Sequence, residues 1–212
     1  LGGAVTTGIC NIAIGKSAMN ALTSGNYNIV LGADSGNAMT TGYRNIALGM
    51  DAFGTATTGC YNIALGNSAM GGADTTGNEN IALGQSTMAA VTSGTCNIAM
   101  GIDSLGALTT GHANIGIGRK VLSVSTSGCY NVAIGHCAMT GADVTGNQNL
   151  AMMDRALYAL TTGACNIAIG SNALGASTTG CDNVAIGRTA LGEGVTGGNS
   201  AQGNCNIAIG LS

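Results

Sequence analysis

The stretch TTGACNIAIGSNAL, residues 161–174, decides how this chain is read, because close variants of it recur from end to end. Its Asn returns as Asn11, Asn28, Asn45, Asn62, Asn80, Asn97, Asn114, Asn131, Asn149, Asn166, Asn183 and Asn206. The steps are 17 residues, apart from two of 18 and one of 23, where Gly194 to Gly203 carries an insertion. A Gly stands three residues before every one of these Asn residues, and another stands four after all but one, where Met153 replaces it. A unit this short cannot hold a helix pair, but it suits one coil of a parallel β-solenoid, with short strands and tight corners.

The array fills residues 1–212 as a single domain, and its abrupt start inside a repeat leads us to expect a piece of a longer fibre protein. About twelve 17-residue coils rising ~4.8 Å each would make an all-β rod roughly 58 Å long. A longer period of 69 residues relates Cys60-Tyr61-Asn62 to Cys129-Tyr130-Asn131 and Gly72-Ala73-Asp74 to Gly141-Ala142-Asp143, as tandem duplication of a four-coil block would.

Strand side chains alternate between faces. If the large residues of N-I-A-I-G fill the interior, Ile12 and Ile14 point inward with Met19 and its equivalents on a second strand, and Asn and Ala point outward. Stacked Asn residues can hydrogen-bond to one another and to corner backbone, which gives the whole column a structural role. The residue between the two Ile positions is then the informative one. Ala fills it at Ala13, Ala47, Ala64, Ala82, Ala99, Ala133, Ala151, Ala168, Ala185 and Ala208, with Val30 and Gly116 the exceptions. A solvent-facing strand position normally carries Thr, Lys or Glu, so an outward stripe of Ala implies an interface, placed near the axis of a symmetric assembly.

Composition narrows the functional classes. The chain has 37 Gly, no Pro, no Trp, 3% aromatic and 7% charged residues, so a thick core of large side chains is not on offer. Six Lys and Arg scattered over a formal charge of -3 make no basic stripe, which argues against nucleic acid as a partner. No apolar run reaches the ~20 residues needed for a membrane-inserted helix.

The unit G-x-x-N-I-A-I-G-x-x-A-L resembles the head repeats of trimeric autotransporter adhesins and the T-T-G-x-x-N-x-A-x-G-x-x-A-L arrays of phage tail fibres. That resemblance implies a left-handed parallel β-roll assembled as a homotrimer. It implies a structural or adhesive role in host attachment, on a virion tail or fibre or alternatively a bacterial cell surface, with a host-surface glycan or protein as receptor. A second reading is a monomeric ice-binding solenoid using its Thr columns, although the paired Thr residues are adjacent rather than alternate.

Catalytic chemistry finds little purchase in the pattern, and we expect no enzyme, no cofactor and no metal. Seven of the eight Cys sit one or two residues before the repeat Asn, with Cys137 the exception. Only Cys165, Cys181 and Cys205 fall in consecutive coils where a disulfide is geometrically open. His136 adjoins Cys137, but a Cys–His nucleophile needs a third group to orient the base. The acidic residues are isolated by neutral stretches, unlike the paired carboxylates of a glycan-cleaving solenoid.

Overall fold

A computed structural model describes residues 7–192 and 203–211, so the insertion at 194–203 lies outside the described residues except for Gly203. The chain is an all-β parallel solenoid with no helix among the described residues. The described residues form twelve three-residue strands, β1 (Ile12–Ile14) to β12 (Ile207–Ile209), which stack in sequence order as one parallel sheet. Each strand pairs in register with the next coil's equivalent, as in Ile46↔Ile63, Ala47↔Ala64 and Leu48↔Leu65.

The facing of the strands is the reverse of the sequence expectation. The central residue points inward: Ala47, Ala82, Ala99, Ala133, Ala151, Ala168 and Ala185 are fully buried within the single chain, and Ala64 is 1% exposed. Ala13 and Ala208, in the end coils, are partly buried. None of the ten can therefore serve as an outward interface column. The flanking Ile, Leu, Val and Met residues point out.

The opposite wall supplies the reason. No second strand forms there among the described residues. Each coil instead returns through turns in which residues such as Met19, Phe53, Met70, Leu105 and Leu122 adopt φ of 47–55° and bury completely or nearly so. A coil of 17 residues is too narrow for two facing rows of large side chains, so rows of Met and Leu on one wall require small residues on the other. Gly116 makes this measurable: a Cβ there would lie 3.3 Å from Leu105 Cγ and 2.8 Å from Ser104 Oγ. The helix-like αL geometry normally costs a bulky residue roughly 1–2 kcal/mol. Burial of a Met or Leu side chain, at roughly 1.5–3 kcal/mol, offsets it.

The Asn residues also face inward, and they form a continuous ladder. Asn97 Oδ1 accepts the backbone N–H of Asn114 at 2.9 Å and its Nδ2 at 3.1 Å, while Asn97 Nδ2 donates to Gly111 O at 2.9 Å. Backbone N–H to Oδ1 bonds repeat at every step from Asn11 to Asn206. Asn28 through Asn183 are at most 1% exposed, so this ladder satisfies polar groups that burial would otherwise penalise. At the strand's end, the Gly that follows sits at φ near 130–135° in most coils, with the next coil's carbonyl 2.3–2.5 Å from where a Cβ would stand, as at Gly49 and Gly170.

Candidate functional site

Two exposed features could carry function: the outer face of the sheet and the corner that precedes each Asn. The outer face consists of the first and third residues of each strand. Every one of these positions is Ile, Leu, Val or Met, and none is polar. In mid-rod the side chains are half-buried against their neighbours above and below; Met100 is 40% exposed, Ile117 36% and Ile167 37%. Two such columns spaced along twelve strands form an apolar strip of on the order of 600 Å², from a strand rise of ~4.8 Å per coil and a width of ~10 Å. That equals or exceeds the largest patch of an ordinary monomer.

The corner before the Asn carries four of the chain's five Tyr and seven of its eight Cys. The residue just before each Asn has φ near 60°, which throws its side chain out into solvent. Tyr27, Arg44 and Tyr61 hold that place in consecutive coils, and the Arg44 guanidinium lies 5.7 Å from the Tyr27 ring centre and 5.3 Å from that of Tyr61. Arg44 Nη1 also donates to Tyr61 Oη at 2.5 Å, and Tyr43 meets Tyr61 edge-on at 5.3 Å. The Tyr43 phenol is pushed above its ordinary range by Cys60 first and Tyr61 next, with Arg44 opposing them. Further along, His112 packs edge-on against Tyr130 at 5.1 Å and contacts Cys129 Sγ through Nδ1 at 3.2 Å.

The Thr columns divide as alternation requires. Thr23, Thr40, Thr92, Thr109 and Thr161 are half-buried and donate their hydroxyls to the next coil's Thr carbonyl at 2.9–3.2 Å. Only the neighbouring Ser24, Thr41, Thr58 and their equivalents are exposed. The 69-residue relation has a local structural use: in the two 18-residue coils, Asp74 and Asp143 accept hydrogen bonds from the backbone and hydroxyl of Thr57 and Thr126. These carboxylates secure backbone rather than flank a cleft.

All eight thiols are free, including Cys165, Cys181 and Cys205. No group of three metal-ligating side chains converges among the described residues. Among the described residues there is no helix long and apolar enough to cross a membrane. Set against protein-family models, curated proteins and solved structures, the chain matches none of them.

Proposed function

We propose that this chain is a rigid, non-catalytic fibre segment of a phage tail fibre or surface adhesin. It assembles as a homotrimer through the outward Ile, Leu, Val and Met columns. The observation that carries the reading is that this aliphatic strip is unbroken over all twelve strands. Three strips of roughly 600 Å² each bury about 1,800 Å² over the whole trimer, comparable to the ~1,600 Å² total of a standard stable interface. A fibre needs its chains parallel, and three narrow strips that meet around a common long axis keep every coil level with its equivalents. The resemblance of the repeat to trimeric fibre arrays supports the same number. The small inward Ala residues contribute indirectly, because they let the sheet lie flat over a narrow core and leave the large side chains for the partner.

The receptor-facing part of such a fibre is the outer corner. Tyr27, Tyr43 and Tyr61 are 41–52% exposed, with Arg44 between Tyr27 and Tyr61 and Tyr43 edge-on to Tyr61, and flat aromatic faces of this kind suit a host-surface glycan. Ice binding is the poorer reading. The half-buried Thr column spends its hydroxyls on internal carbonyls, which leaves one exposed hydroxyl column rather than two.

Sedimentation equilibrium at micromolar concentration, on protein that retains its flanking regions, tests the assembly. A mass three times that of the chain is expected. A monomer that shows thermal hysteresis would overturn the proposal in favour of an ice-binding solenoid.

A further inference from the structure

The solenoid brings a third group to the His136–Cys137 pair that the sequence leaves apart. Asp154 lies 18 residues downstream, which is one coil, and its Oδ1 stands 3.0 Å from His136 Nδ1. Cys137 Sγ lies 3.4 Å from His136 Nε2. Carboxylate and thiol thus occupy opposite edges of one imidazole, the order in which a carboxylate orients a base and the base serves a nucleophile. A metal would instead need the three donors to converge on a point.

We propose that Cys137, His136 and Asp154 form a nucleophilic site that accepts an acyl group from an activated ester or thioester. An ionised carboxylate only accepts hydrogen bonds, so Asp154 fixes the proton of neutral His136 on Nδ1 and leaves the Nε2 lone pair facing the thiol. In the reaction, Cys137 Sγ forms a bond to the acyl carbonyl carbon and the thiol proton passes to His136 Nε2. The bond from that carbon to the leaving oxygen or sulfur then breaks, and the leaving group takes the proton from Nε2. The products are S-acyl Cys137 and a free alcohol, phenol or thiol, so the step needs no oxidant or cofactor.

The surroundings suit a single acyl transfer. His136 and Asp154 are about half exposed, at 50% and 49%, so a donor can reach them. Arg155, which follows Asp154, stands one coil after Cys137, and Lys120 stands one coil before it. With Arg119 these residues put cationic groups in the coils on either side, which favours a donor with an anionic leaving group. The backbone N–H of Cys137 is already donated to Arg119 O at 3.1 Å and does not serve an oxyanion. One acylation per chain is expected rather than rapid turnover.

The chain contains its own control. Cys129 also touches a histidine, but through Nδ1 of His112, whose other close neighbour is Tyr130 rather than a carboxylate. The full chain is treated with p-nitrophenyl acetate, and acetylation of each cysteine is followed by peptide mass spectrometry. Cys137 should acetylate about 100-fold faster than Cys129 and than exposed Cys96, the low end of what a positioned base supplies. His136→Gln should bring Cys137 down to the rate of Cys96 and leave Cys129 unchanged, which also shows that the fold persists. As a positioning residue, Asp154 should act through His136: Asp154→Asn slows Cys137, and the double variant is no slower than His136→Gln alone. Equal rates at Cys137 and Cys96, or a Cys137 rate untouched by His136→Gln, would overturn the site. Neither outcome depends on the oligomeric state.

Discussion

Val30 fills the space that Gly36 leaves empty: a Cβ on Gly36 would stand 3.3 Å from Val30 Cγ2 and 3.5 Å from Cγ1. In neighbouring coils the same two places hold Ala47 with Phe53, Ala64 with Met70 and Ala82 with Met88. The large residue has changed walls while the volume between them is conserved, as a close-packed interior demands. Gly36 has φ of 55°, like the Met and Leu residues that replace it elsewhere, so the backbone would accept a side chain.

This pairing makes a double-mutant cycle informative. Gly36→Met alone should destabilise by about 1–3 kcal/mol through overpacking. Val30→Ala alone should cost about 1–3 kcal/mol through the cavity it leaves. Together they rebuild the usual pair, and urea unfolding should show a favourable coupling of about 1–2 kcal/mol. Simple additivity would mean that the two walls do not meet here.

The Asn ladder should behave as a chain of mutually dependent links. Asn97→Ala deprives the Asn114 N–H of its acceptor and Gly111 O of its donor, both in the buried interior, while Asn114 Nδ2 keeps only its bond to Gly128 O. Each unsatisfied buried group typically costs ~1–3 kcal/mol, so a loss of at least about 2 kcal/mol is expected. Hydrogen exchange should quicken first at Asn114 and at neighbouring strand amides, since the break is local to two coils.

Much of this architecture is legible in the chain, since the 17-residue return of Asn and Gly already specifies coil length, coil number and parallel register. Which face is inside was not, because alternation fixes only that Ala13 and Ile12 face opposite ways, and hydrophobicity alone sends Ile inward. The arbitrating signal was present in Val30 and Gly36, whose sizes change in compensation within one coil. The meeting of His136, Cys137 and Asp154 required the one-coil return of the chain to be applied to side chains as well as to repeats. Which edge of the imidazole each partner would take depends on rotamers that spacing does not set.

Met153 is the one residue that breaks the Gly column at the strand's end. Its φ is 93°, against 123–143° at the equivalent glycines, so a side chain has pulled the corner away from the shared geometry while still holding it in a region L residues avoid. Strain of this kind costs roughly 1–3 kcal/mol. The Met153 side chain is 58% exposed and little packing is lost with it. Met153→Gly should therefore stabilise the chain by about 1 kcal/mol, read as a rise in thermal midpoint. The reverse change at Gly170, where a Cβ would lie 2.3 Å from Gly187 O, should be strongly destabilising.

The facing of the sheet predicts two separable failures at adjacent residues. Ala99 is fully buried, between strands that also bury Ala82 and Gly116. Glu there must carry a carboxyl group into an apolar interior with no partner and no room, so Ala99→Glu should cost more than about 4 kcal/mol and remove strand signal from the circular dichroism spectrum. Ile98, one residue earlier, is half-buried on the outer face. Glu at that place keeps its carboxylate in water and loses part of one aliphatic contact, so an isolated chain should weaken by only about 1–2 kcal/mol. Assembly should suffer much more. In a trimer, Ile63→Glu, Ile81→Glu and Ile98→Glu together would set nine carboxylates around one axis, where desolvation and mutual repulsion add up. The triple variant should therefore sediment as a folded monomer with near-normal strand content, whereas Ala99→Glu should lose the fold itself. A trimer that survives the triple substitution would show that the Ile columns do not meet, and a folded Ala99→Glu protein would show that the Ala column does not point inward.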